Sequence, residues 1–179
     1  MRKTRFGLVL VVALFGGMEA RAQFANKRLG FELGGFSFND AEITAGVAAQ
    51  LEGNIYIENG IDVGIRIPAV LLLTRVSNKQ EFGTGGQIYF RYLFSEESVR
   101  PYAGLAIDVL VVLRGQIAGD TSGNQQVFWG PQAFGGLDYF VVDTVSIGAR
   151  GFFTAHIAIN NRNVFRPTFG GFANVHFYF

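Results

Sequence analysis

The stretch Phe169-Gly-Gly-Phe-Ala-Asn-Val-His-Phe-Tyr-Phe179 alternates without a break. Phe169, Gly171, Ala173, Val175, Phe177 and Phe179 fall on one side, and Gly170, Phe172, Asn174, His176 and Tyr178 on the other. A period of two over this length specifies a strand rather than a helix. One side is almost entirely apolar and its last residue is aromatic. Chain ends usually fray, so a terminal strand of this kind calls for an apolar solvent or a partner strand.

Working outward, the same period recurs along the chain. Leu29, Phe31 and Leu33 alternate with Arg28, Gly30, Glu32 and Gly34; at Gly34-Gly35 the apolar phase moves to Phe36 and Phe38, which predicts a bulge. From Ile43 to Ile57 the odd positions are apolar or small, and after Glu58-Asn-Gly60, a hairpin signal, they resume as Ile61, Val63, Ile65, Ile67, Ala69, Leu71 and Leu73. Every charge in these two strands, Glu52, Asp62 and Arg66, lies on the even side. A register in which Ile57 faces Ile61 sets Glu52 opposite Arg66.

Further strands follow around Phe82–Phe94, Tyr102–Leu113, Val127–Val141 and Val145–Ile159, and the terminal strand makes eight. The connections near 58–60, 95–100 and 142–144 are short, whereas 74–81, 115–126 and 160–166 are longer. Pro68 and Pro131 fall inside strands, which predicts local bulges there too.

Composition limits what such a chain is. Arg2, Lys3 and Arg5, the apolar run Phe6–Gly17 and Ala20-Arg-Ala22 have the layout of an export signal. Taking residues 1–22 as a cleaved signal peptide leaves residues 23–179 as one domain. That domain carries 11 Lys+Arg (15 less 4) against 13 Asp+Glu (14 less 1), a balance without the basic excess of a nucleic-acid binder. There is no cysteine, hence no disulfide framework and no thiolate metal site. With 49% hydrophobic residues, 15% aromatics and 24 glycines, the composition suits a barrel whose outer surface meets lipid.

Which side faces outward is decided by residue size. The even side in most strands carries Gly, Ala and charges of both signs, which suits the crowded lumen of an eight-stranded barrel. The opposite side carries large aliphatics, with Trp129, Tyr92, Tyr139, Phe82, Phe94 and Phe169 near strand ends, as a lipid band with aromatic girdles does. The expected fold is therefore all-β: an eight-stranded antiparallel up-and-down transmembrane β-barrel.

The closing strand, ending in Phe with Val175, Phe177 and Phe179 on its apolar side, resembles the C-terminal signal of bacterial outer-membrane β-barrels. The whole of residues 23–179 is similar in pattern to the small barrels typified by the OmpA transmembrane domain, OmpX and OmpW. That resemblance implies a Gram-negative outer membrane, contact with its lipid and lipopolysaccharide, and recognition of Val175, Phe177 and Phe179 by the barrel-insertion machinery. It also implies a surface partner reached through the loops 74–81, 115–126 and 160–166.

Candidate chemistry lies on the inner side. Glu52, Asp62, Arg66, Arg91, Asp108, Asp138 and Arg150 read as a lumenal salt-bridge network. His156 and His176 are the only histidines; neither begins the His-x-Ser pair used by lipid A deacylases of this architecture, and two histidines without a third ligand make a poor metal set. Gly119-Asp-Thr-Ser-Gly-Asn124 is turn chemistry rather than a calcium loop. The expectation is a protein with no catalytic site, cofactor or metal. Toward the loop end the inner positions Val70, Leu72, Leu110, Val112 and Phe128 become apolar. Two readings of that layer stay open: a packed plug, or an OmpW-like conduit for small hydrophobic solutes.

Overall fold

The computed structural model describes residues 27–38, 43–74, 80–113, 126–159 and 165–179. The export signal, the Gly119–Asn124 loop and most of the longer connections lie outside the described residues. Eight strands follow one another: β1 (Lys27–Phe38), β2 (Ile43–Glu58), β3 (Ile61–Thr74), β4 (Gln80–Leu93), β5 (Val99–Leu113), β6 (Gln126–Val142), β7 (Val145–Ala158) and β8 (Phe165–Tyr178). Each pairs antiparallel with the next, and β8 pairs with β1 to close the barrel. The closure runs from Arg28↔Tyr178 to Phe38↔Thr168. At its end Lys27 N–H donates to the Phe179 carbonyl at 3.2 Å, and Phe179 N–H donates back at 3.1 Å. No sheet edge is left to exchange hydrogen bonds with water or another chain, which a spanning sheet requires.

The alternation sorts side chains to two environments. Outward positions such as Leu33, Leu51, Ile65, Ile88, Leu105 and Phe169 are more than half exposed, while Glu52, Arg66, Tyr89, Asp138 and Phe128 on the inner side are 2% exposed or less. A water-soluble barrel inverts this distribution. Exposed large apolar residues on every strand are the outer coat of a lipid-facing barrel.

Three local expectations resolve differently. The move to Phe36 and Phe38 is no bulge: β1 keeps one register against both β2 and β8 through Gly34-Gly35, and Phe38 is buried. The even side stays inward and merely changes from charged to aromatic as it rises. Nor do the prolines bulge their strands. Arg66↔Gln87 and Ala69↔Thr84 share one register, as do Trp129↔Ile157 and Gln132↔Thr154, so the ladder is interrupted beside Pro68 and Pro131 without a slip. A strand residue directs its N–H to one neighbour only. The missing donor therefore costs bonds on one side, and Gln50↔Pro68 and Ile107↔Pro131 stay in register on the other.

The β2–β3 hairpin is the third case. Asn59 and Gly60 have φ of 53° and 81°, the positive values a two-residue type I′ turn demands. That turn sets Glu58, not Ile57, opposite Ile61, and a register shift between Tyr56 and Glu58 restores Tyr56↔Asp62 and Glu52↔Arg66. The expected pairing of these charges holds, reached through a tighter turn plus a bulge.

Glycine on the inner side answers to space. A Cβ on Gly34 would sit against the Gly171 carbonyl and the Phe172 ring, whereas one on outward Gly135 meets only the Tyr102 carbonyl, at 3.4 Å. Gly34→Val is expected to abolish assembly and Gly135→Val to permit it. The check is the fraction of protein with heat-modifiable gel migration after refolding into detergent or lipid; equal yields for the two variants would contradict the assignment of faces.

Candidate functional site

The lumen is filled by two stacked layers of different chemistry. Nearer the short turns is an ionic layer of four arginines and four carboxylates, all with side chains 3% exposed or less. Glu52 is its hub. Arg28 pairs with Glu52 Oε1, Tyr89 O–H donates to the same oxygen at 2.9 Å, and Arg66 Nε–H donates to Oε2 at 2.7 Å. Arg91 pairs with Asp62 through Nε at 2.9 Å and reaches Asp138 at 3.1 Å, where Arg28 also arrives at 3.3 Å. Arg150 binds Glu32 at 2.6 Å and also donates to Gln50 at 3.1 Å and Gln132 at 3.3 Å. Aromatic rings wall the cations: the Arg66 guanidinium lies 3.9 Å from the Tyr89 ring centre and 4.5 Å from that of Phe134.

Each of these charges is costly to bury alone, and neutralisation within hydrogen-bond distance offsets much of that cost. Six strands supply one or two members each, so the layer ties together parts of the chain that do not pair as neighbours: Arg28–Asp138 and Arg150–Glu32 cross the lumen. Arg28 and Glu32 were not among the expected network residues, although their place on the even side of β1 marked them as inward. Asp108 lies elsewhere in the lumen, at the upper edge of this layer, where its Oδ2 is 2.5 Å from His156 Nε2.

The second layer, toward the long loops, is apolar. Val70, Leu72, Leu110, Val112 and Phe128 form one buried cluster with Phe38, Ala48, Ala158 and Phe172. Leu72, Val112 and Phe128 are fully buried. The Phe38 ring meets Phe128 edge-on at 5.1 Å and stacks on His156 at 5.5 Å. In the sequence Phe38 reads as a slipped register, and Phe172 falls on the inner side with nothing that assigns it to this cluster.

Two arrangements have the look of chemistry. Asp108, His156 and Thr168 form a carboxylate–imidazole–hydroxyl chain, with His156 Nδ1 2.9 Å from Thr168 Oγ1. The same three groups line a cavity of about 30 Å³, bounded by Phe36, Pro68 and Phe172 among others. That space holds one water, not an acyl or glycosyl group, and Phe38 and Phe128 pack against the imidazole. The chain therefore ties β5, β7 and β8 together. Glu32, Glu52 and His176 bring potential ligand atoms within 4.8 Å of one another, a third ligand the sequence did not reveal. The oxygens of both glutamates already accept from Arg28, Arg66, Tyr89 and Arg150. With those guanidiniums in place, the charge a metal would neutralise is already neutralised.

At the closing strand, Phe177 lies on the outer side opposite Leu29 of β1 and Val145 of β7, and Val175 lies opposite Phe31 and Ile147. Phe179 follows on the same side.

Glu52 accepts from three donors, so its loss strands more than the loss of any one of them. Glu52→Ala is expected to cost more than Arg66→Ala, on the order of 3–5 kcal/mol for a buried ion left unpaired. The double variant should cost less than the sum, a coupling read from a double-mutant cycle of urea unfolding in lipid. Additive costs would mean that the two side chains do not share a network.

No protein-family model matches the sequence, and no curated protein matches it. Solved structures do. Neisserial surface protein A (NspA) superposes with a TM-score of 0.66 at 14% identity, covering 87% of this chain and 98% of that one. The outer membrane protein OprG from Pseudomonas aeruginosa gives 0.61 at 9% identity over 87% and 96% of the two chains. The N-terminal β-barrel domain of Pseudomonas aeruginosa OprF gives 0.59 at 12% identity over 87% and 98%. At such identities the likeness is one of fold, and it agrees with the closed register, the apolar coat and the filled lumen: the chain has the fold of the small eight-stranded outer-membrane β-barrels.

Proposed function

We propose that the protein is a non-enzymatic barrel of a Gram-negative outer membrane, with a structural role in the envelope or a role in presenting surface loops to a partner. The observation that carries this reading is the filled lumen. Leu72, Val112 and Phe128 are 0% exposed above an ionic layer whose members bond one another. An eight-stranded interior is just wide enough for its own side chains, and here they use it. Against catalysis stands the enclosure of Asp108, His156 and Thr168 around a water-sized space. Against a conduit for small hydrophobic solutes stands the same packing of the apolar layer, which acts as a plug.

The external features are then what such a protein offers. Outer-membrane lipid and lipopolysaccharide cover the apolar coat, and a surface partner is met through the connections 74–81, 115–126 and 160–166. Val175, Phe177 and Phe179 serve as the insertion signal read by the assembly machinery.

Fractionation with the outer membrane tests the location. For the lumen, wild-type protein in liposomes should be impermeable to small sugars and to small apolar solutes alike. The double change Leu72→Ala/Phe128→Ala removes two fully buried side chains from the plug. It should lower stability, by about 2–5 kcal/mol per side chain removed, and admit water or solute. Passage through the wild type at the rate of the double variant would overturn the plug. Phe179→Asp should sharply lower the assembled fraction in cells; unchanged assembly would remove the insertion role.

A further inference from the structure

The lipid-facing coat has glycine notches that the barrel's own packing does not explain, at Gly53, Gly86 and Gly151, and the one at Gly53 adjoins a cation, Lys27. Along one row of paired outward positions, Leu29 of β1 faces Gly53 of β2, Gly53 faces Ile65 of β3, and Ile65 faces Ile88 of β4. Gly53 is thus a gap in a line of large apolar side chains. The groove around it, walled by Leu29, Ile55, Ile65 and Ile88, has a volume of about 470 Å³. Inner glycines have a reason to be glycine: a Cβ on Gly64 would run into Tyr89 and Asn54. Gly53 has none of that kind, since its Cβ would meet nothing nearer than Leu29 Cδ2 at 3.8 Å, and its backbone is not left-handed.

The groove also has a direction. Lys27, exposed at the first position of β1, lies at its mouth, beside Phe179 and on the end of the barrel that carries the short turns. Short turns mark the periplasmic side of such barrels, so the mouth opens at the headgroup level of the inner leaflet. The leaflet on that side is built of phospholipid, whereas lipopolysaccharide occupies the outer one. A cation at the headgroup level with an apolar groove rising from it matches a lipid phosphate and its acyl chain.

We infer that the Gly53 notch is a binding site for one inner-leaflet phospholipid, its phosphate on Lys27 and an acyl chain laid over Gly53 between Leu29 and Ile65. This rests on the membrane-barrel reading above. It goes beyond general lipid contact by assigning a retained lipid to one face of the barrel.

The test is native mass spectrometry of the protein extracted in mild detergent from vesicles of phosphatidylethanolamine with a minor share of phosphatidylglycerol. Wild type is expected to retain one phospholipid per barrel. Gly53→Phe, which fills the notch, should lose it. Gly135→Phe, an outward glycine on the far side, should keep it. Lys27→Glu should reduce retention of phosphatidylglycerol more than of phosphatidylethanolamine. Absence of a retained lipid in wild type, or equal retention by Gly53→Phe, would overturn the assignment. So would material from native membranes carrying lipopolysaccharide there, or a second barrel copy lost with Gly53→Phe. Heat-modifiable migration of the same samples reports whether each barrel is folded. A wild type that never folds into the vesicles would fault the membrane-barrel reading itself, a different failure from a folded barrel without its lipid.

Discussion

Everything in this molecule depends on the pairing of Glu52 with three donors in a space that water does not fill. A lumen closed by eight strands has little room for solvent, so each charged group placed there needs a partner built into the protein. Four arginines and four carboxylates meet that need among themselves, and the partners come from β1, β2, β3, β4, β6 and β7. The strand ladder joins neighbours only. The ionic layer joins strands across the barrel, and it does so with directional bonds that are satisfied in one register. A slip of one residue in any strand would turn its charges toward lipid and leave their partners unpaired. Register specificity is therefore concentrated in this layer, while the outer coat, being apolar almost everywhere, discriminates little between registers.

The apolar layer above solves the same filling problem without charge. Leu72, Val112, Phe128 and Phe38 interlock at van der Waals contact and need no partners beyond shape. Inner glycines such as Gly46 and Gly170 make room for this: a Cβ on either would press into Phe36. Between the layers the small cavity at Asp108, His156 and Thr168 marks the seam, where polar and apolar packing meet and neither fits fully. The seam is bridged by the imidazole, which hydrogen-bonds to Asp108 and Thr168 while offering its face to Phe38.

The fold was legible because a lipid-facing barrel writes its period into every strand. Large apolar residues on one side and glycine, alanine and charge on the other leave one arrangement, and the Glu52–Arg66 pairing was legible from the shared inner side, although the Asn59-Gly60 turn reaches it only through a bulge. What was not legible had a shared cause. Phe36, Phe38 and Phe152 are apolar residues on the inner side, and hydrophobicity alone assigns them to lipid; only knowledge of which layer they occupy turns them inward. Arg28 and Glu32 sat on the correct side but on a strand whose pattern seemed broken at Gly34-Gly35. The prolines misled for a simpler reason, since a bulge is one way to accommodate a missing N–H and a one-sided gap in the ladder is another. Cross-lumen partners such as Arg150 and Glu32, 118 positions apart, have no sequence signature at all.

The order of the two layers has its own logic. The short turns tie the ionic end into tight hairpins: Leu93 N–H bonds the Gly60 carbonyl at 2.7 Å, and Phe140 N–H bonds that of Ser98 at 2.8 Å. Adjacent turns are thereby stitched together. Directional ion pairs gain most where the backbone is held most rigidly, because their strength falls quickly with misalignment. The apolar layer sits where the strands run out into the longer connections, and dispersion contacts tolerate small displacements better than guanidinium–carboxylate geometry does. It also keeps the polar loop end from wetting the charges beneath it. An inverted order would place the charges beside the longer loops and the tolerant packing beside the rigid turns, weakening both.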